Sequence, residues 1–226
     1  YNRSTMNYFT EDFLSFFKEL ATNNHKDWFH AYKKRYETSV KKPFEVFVGD
    51  MINEIQKIDP NVAITPKECI LRINRDIRFS KDKSPYNMHY TAFISPGGRK
   101  DKSIPGIFIR FSPEMVGIMG GCFGLAKDQL KNIRNAIKND PVKFRTLIEE
   151  RDFVQKFGQI RGDSLKRIPK EWQDTFEKEP LIANKQFYFM AEETPELICS
   201  DTLKQTLMKY WQIKRPINEY LSQAFQ

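Results

Sequence analysis

Most of the residues and motifs that announce a reaction are scarce in this chain. Histidine occurs only at His25, His30 and His89, and cysteine only at Cys69, Cys122 and Cys199. An odd number of widely spaced cysteines gives neither a disulfide framework nor a C-x-x-C metal pair, so the three read as small apolar fillers. His25 and His30 are five residues apart and do not share a helical face, so they read as surface or capping residues. There is no G-x-S-x-G, no H-E-x-x-H, no acidic calcium loop, no P-loop and no dinucleotide fingerprint. No metal and no cofactor is therefore expected. No apolar run approaches the roughly 18 residues of a membrane-spanning helix, so no membrane partner is expected. The opening Y-N-R-S-T-M-N-Y-F-T lacks the apolar heart of a secretory signal, which points to a cytoplasmic location. Residues 1–9 read as a flexible tail.

What is present is core material and positive charge. The 226 residues are 40% hydrophobic and include 19 phenylalanines, enough for one α+β domain over 1–226. The net charge is +8. From Lys67 to Lys102 there are nine cations against four anions, so much of the excess lies in a short stretch. Such an imbalance implies an anionic partner and says nothing of the fold.

The hydrophobic pattern places helices first, then strands, then helices. Thr10 suits the N-cap of a helix buried through Phe13, Phe16, Phe17 and Leu20. A second helix begins near His25 and carries Trp28, Tyr32 and Tyr36 at i, i+4 and i+8. Pro43 opens a third, with Phe44, Phe47, Met51, Ile55 and Ile58 inward. Strands are expected over Thr91–Ser95, over Ile107–Phe111 and Met115–Met119 flanking a Ser-Pro-Glu turn, and near Phe187–Ala191. Phe157–Ile160 reads as a weak strand. Helices are predicted from Ala126, from Pro141, over Trp172–Phe176, over Ser200–Trp211, and from Pro216 to Phe225. The expected fold is α+β, with a mainly antiparallel sheet of about four strands in mid-chain packed by helices from both ends.

The chemistry concentrates between Leu71 and His89, in L-R-I-N-R-D-I-R-F-S-K-D-K-S-P-Y-N-M-H. If the segment from Ile70 to Phe79 is extended, alternation puts Leu71, Ile73, Arg75, Ile77 and Phe79 on one face. Arg72, Asn74, Asp76, Arg78 and Ser80 then take the other. A guanidinium on the core side needs a partner or a cavity, which singles out Arg75. Pro85 keeps Ser84 out of a helix, so Ser80–Pro85 reads as a loop. Arginine forks and mobile lysines together suit phosphate or carboxylate oxygens. Arg72, Arg75, Arg78, Ser80, Lys81 and Lys83 are the candidate ligand-binding residues. Asp76, Tyr86 and His89 are the candidates for acid–base work. The plain alternative is a salt-bridged strand with a solvated loop.

Three functional classes follow. The leading expectation is a cationic pocket for a small, phosphate-bearing ligand, with or without catalysis. The second is nucleic-acid binding across the Lys67–Lys102 patch, with Phe79 or Tyr86 stacking on bases. The third is a protein-interaction module built on Trp28 and Tyr32. The G-G-C-F-G run, Gly120 to Gly124, precedes a helix and suits either an anion or tight backbone packing.

The run R-I-N-R-D-I-R-F-S-K-D-K-S-P-Y-N-M-H resembles the hallmark of the family called domain of unknown function 2461. The segments F-L-S-F-F-K-E-L-A-T-N-N-H-K-D-W-F, G-I-M-G-G-C-F, L-K-R-I-P-K-E-W and I-K-R-P-I-N-E-Y-L are similar to it as well. The resemblance spans Phe9 to Phe225. It implies membership and a single domain, and it carries no reaction, substrate or catalytic residue.

Overall fold

Helix α1, Glu11–Thr22, forms where phenylalanines recur at helical spacing. Phe13, Phe16, Phe17 and Leu20 are fully buried. Two acids, Glu11 and Asp12, sit in its first turn, where they complement the helix dipole. The structure, a computed structural model, describes residues 7–223 and residue 225. Of the expected tail, residues 1–6 lie outside that range. Tyr8 and Phe9 are buried rather than loose, with the Tyr8 hydroxyl donating to Asp50 Oδ2 at 2.5 Å.

Helix α2, Lys26–Ala31, is capped by His25, whose Nδ1 accepts from the Trp28 amide at 3.3 Å. A short helical turn and a π-helical segment, Tyr36–Lys41, then lead without a break into α3, Lys42–Gln56. Phe44, Phe47, Met51 and Ile55 face inward as the spacing predicts, whereas Ile58 lies past the helix end and is exposed. Phe9, Phe13, Phe44 and Phe47 meet Phe111 with ring centroids between 5.4 and 6.3 Å apart. Burying each ring contributes about 2 kcal/mol, and edge-on contacts add a fraction more.

The strands are β1 Tyr90–Ile94, β2 Ile107–Phe111, β3 Val116–Cys122 and β4 Phe187–Glu193. They form one antiparallel sheet in the order β1-β2-β3-β4. The fold is α+β, with the sheet in mid-chain and helices towards both ends. Ser112 closes the β2–β3 turn: its amide donates to the Met115 carbonyl at 3.1 Å and its hydroxyl oxygen accepts from the Glu114 amide at 3.3 Å. Two compact units share the chain. One comprises residues 1–99, 108–118 and 192–208, and the other residues 100–107, 119–191 and 209–226.

After β3 come α4 Lys127–Asn139, α5 Pro141–Ile148 and α6 Arg151–Phe157. Phe157 therefore ends a helix rather than starting a strand, because Phe153 and Phe157 pack as one helical stripe on Phe189 at 4.9 Å. The last two expected helices are a single one, α7 Leu203–Gln223, with Pro216 inside it. Leu207, Tyr210, Trp211, Ile217 and Leu221 keep one buried stripe through the proline. The carbonyl that Pro216 leaves without a donor belongs to the exposed Gln212, where water can satisfy it.

Gly120 and Gly121 follow the tight-packing reading, whereas Gly124 has open space around it. A Cβ on Gly121, whose φ is 87°, would lie 2.1 Å from the Phe187 carbonyl oxygen. The Gly121 amide already donates to Asn218 Oδ1 at 3.1 Å, so it is not free for an anion. Gly158 also has positive φ, at 74°, but open space around it. Gly121→Ala should therefore lower the unfolding free energy by about 2–4 kcal/mol, combining strain with overpacking. Gly158→Ala should lower it by only about 1 kcal/mol, from backbone strain. Urea unfolding of the two variants decides this, and equal losses would show that crowding at Gly121 is relieved.

Candidate functional site

The polar run folds as an irregular hairpin within the first unit. Its arms meet through Leu71 N to Thr91 O at 3.0 Å, Asn87 N to Ile73 O at 2.8 Å and Arg75 N to Pro85 O at 2.8 Å. Only isolated bridges form, Ile70 with Ala92 and Asn74 with Tyr86, so the first arm is extended without becoming a regular strand. The alternation holds along it: Ile73 is buried and Leu71, Arg75 and Ile77 are half-buried, while Arg72, Asn74, Asp76 and Arg78 are exposed.

It fails at Phe79, which belongs to no core face and is 95% exposed. The physical reason is a turn. The Ser80 amide donates to the Ile77 carbonyl at 3.3 Å, so Arg78 and Phe79 are its two central residues and the period of two ends there. The Arg78 guanidinium lies over the Phe79 ring, 5.8 Å from its centroid.

Arg75 is the half-buried guanidinium that the alternation singled out, with 25% of its side chain exposed. It finds its partners in the loop that follows. Nη1 donates to Asp82 Oδ2 at 2.5 Å and to the Ser84 carbonyl at 3.0 Å, and Nη2 reaches Ser80 Oγ at 3.4 Å. Asp82 also accepts from the Ser84 amide at 2.9 Å. The hydroxyl and amide of Ser84, with the Arg75 guanidinium, hold the Asp82 carboxyl down at about 2. Lys83 Nζ donates to the Ile77 carbonyl at 3.0 Å and ties the far side of the loop.

The other candidates separate. Arg78 forks onto Asp76 with contacts of 2.9 and 2.7 Å, and that hydrogen bonding lowers the Asp76 pKa. Arg72 and Lys81 are exposed, and among the described residues no carboxylate forms a salt bridge with either. Tyr86 is 5% exposed and stacks on Phe29 at 4.0 Å, so its ring is closed to a base. His89 is half-buried and nearer in charge influence to Arg110 and Glu114 than to the loop. Arg75 and Arg78 thus turn to different carboxylates, Asp82 and Asp76.

Sequence reasoning missed what seats the hairpin. The Asn24 side chain donates to the Tyr86 carbonyl at 2.9 Å and accepts from the Tyr86 amide at 3.1 Å, imitating a neighbouring strand. Asn24 and Tyr86 are 62 residues apart, so no local pattern could pair them. Trp28 and Tyr32, the basis of the protein-interaction expectation, stack on each other at 4.5 Å, Trp28 half-buried and Tyr32 exposed. Burial pushes the Cys69 thiol up to about 12 and the Cys199 thiol up to about 11, so neither is a thiolate at neutral pH.

Fold and site together define an α+β protein that displays a cation-rich hairpin stiffened by its own acids. The chain belongs to the conserved hypothetical protein family DUF2461, whose signature matches residues 12–220. No curated protein and no solved structure matches it. Among the described residues no helix is long and apolar enough to cross a membrane.

His89 gives the site a measurable pH signature. Burial first, then Arg110, lowers its pKa from 6.5 to about 4. Between those values the unfolded chain holds a proton that the folded chain does not. Stability contributed by neutral His89 is complete above about pH 6.5 and is lost as the pH falls towards 4. Urea midpoints should rise with pH across this window in the wild type, and His89→Gln should flatten the rise. An unchanged slope in the variant would assign the effect elsewhere.

Proposed function

We propose that the Leu71–His89 hairpin is a phosphate-recognition surface, open rather than enclosed, acting in the cytoplasm. The observation that carries this is the division of labour among its cations. Arg75 is committed to Asp82, the Ser84 carbonyl and the Ser80 hydroxyl, and Arg78 is half-committed to Asp76. Arg72 and Lys81 stand exposed without a salt-bridge partner among the described residues. Arg78 keeps a 75% exposed side chain, so its outer edge can add to theirs. The ligand's oxygens would meet Arg72, Lys81 and that outer edge, while Arg75 shapes the loop from beneath. A lysine supplies a mobile point charge and an arginine a fork, the pairing that phosphate oxygens favour.

An enclosed pocket for one small ligand has less support, because it needs Arg72, Arg75 and Arg78 to converge. Acid–base roles for Asp76 and Tyr86 have little support too: Asp76 is held charged by Arg78, and burial raises the Tyr86 phenol above its ordinary range.

The test is a thermal-shift titration with inorganic triphosphate against sodium chloride of matched ionic strength. Wild type should rise by about 2–4 °C for each ~1 kcal/mol of binding free energy. The double variant Arg72→Ala, Lys81→Ala should lose most of that rise while keeping the unliganded melting temperature. No rise beyond the salt control in the wild type would reject the proposal.

A further inference from the structure

Phe79 is the residue that a phosphate surface alone leaves unexplained. A phenylalanine side chain gains stability by leaving water, yet this one is 95% exposed at the centre of a turn. Its exposure is built in rather than incidental. The Ile77–Ser80 turn aims it outward, and the loop behind that turn is held by Arg75, Asp82, Ser84 and Lys83. The Arg78 guanidinium lies over its ring, and the exposed Lys81 follows two residues later. The other aromatic in the run, Tyr86, is spent on Phe29.

We infer that the phosphate-bearing ligand of this surface is a single-stranded nucleic acid, with one base stacked on Phe79 and neighbouring phosphates on Arg72, Lys81 and Arg78. This rests on the phosphate reading above and adds the substrate class to it. Strand-binding surfaces combine cations that follow the backbone with exposed aromatic rings that take the base faces. Every base has such a face, so one platform serves without reading sequence. A duplex hides its base faces in the stack, and inorganic phosphate has none, so of these three ligands the single strand is the one that uses both features.

An anionic membrane is the other partner that an aromatic among cations could suit. Two observations disfavour it. The apolar tip is one ring rather than a cluster. Asp76 and Asp82, with side chains 45% and 60% exposed, lie within three residues of Phe79 on either side and would be pressed against anionic headgroups.

The experiment measures binding of the full chain to a fluorescent single-stranded oligothymidylate by anisotropy. The matching duplex, inorganic triphosphate and phosphatidylserine vesicles serve as parallel ligands. The single strand should bind more tightly than the duplex at equal salt. F79A should weaken the single strand at least about fivefold, the low end of what one stacked base contributes. F79W should restore it, and its added indole fluorescence should be quenched by the oligonucleotide. F79A should leave triphosphate binding and the melting temperature unchanged.

Equal affinity of wild type and F79A for the single strand overturns the inference. So does triphosphate binding with no oligonucleotide binding, in which case the phosphate surface stands and its ligand is of another class. Vesicle binding that depends on Phe79, without oligonucleotide binding, overturns it in favour of a membrane tip. If triphosphate fails as well, the phosphate reading falls with it.

Discussion

The hairpin depends on one constraint, the half-buried charge of Arg75. A guanidinium drawn partly out of water must recover its lost hydration from nearby acceptors, or the fold is destabilised. Here the acceptors come from the chain immediately after it: Asp82, the Ser84 carbonyl and Ser80. Satisfying that single side chain therefore orders a loop that has no strand partner and no apolar content of its own. The same carboxylate that meets Arg75 also accepts from the Ser84 amide, so one acid closes the loop at both ends. Charge in this segment is used first as structure. What is left over is available for a ligand.

That leftover is defined by geometry rather than by composition. The five cations between Leu71 and His89 look alike in a charge count. In the fold they divide into one that is internal, two that are tied to a carboxylate or a carbonyl, and two that are free of salt bridges among the described residues. The Asn24 clamp and the Phe29–Tyr86 stack seat the second arm on the N-terminal helices, within the same unit. A ligand meeting this surface would find its cations already placed, with little loop ordering left to oppose binding.

Elements with a strong period were legible in the sequence. The phenylalanine spacing of α1 and α3, the Ser-Pro-Glu turn between β2 and β3 and the alternation from Leu71 to Arg78 all appear in the fold. Three misreadings share a cause, which is that a local rule met a stronger neighbouring constraint. Phe79 obeyed a turn instead of a strand period, since the Ile77–Ser80 hydrogen bond reverses the chain there. Pro216 did not open a new helix, because the buried stripe on α7 outweighs one missing hydrogen bond at an exposed carbonyl. Phe157 joined Phe153 on Phe189 rather than forming a strand. The Asn24 clamp and the Phe29–Tyr86 stack were not legible, because each is a contact with Tyr86 across some sixty residues of chain.

The acids of the run decide how its charge can act on a partner. Asp76 and Asp82 neutralise part of the field, so the hairpin is a weaker long-range attractor than its arginines and lysines suggest. Both are held in the carboxylate form by hydrogen bonds, so this neutralisation persists at every physiological pH. A surface built for unselective attraction to polyanions would omit them. Their presence shifts recognition from bulk charge towards local geometry: a fork here, a point charge there and an exposed ring between them. Phe79 then matters more than its single residue implies, because it is the component of the surface that the acids do not attenuate.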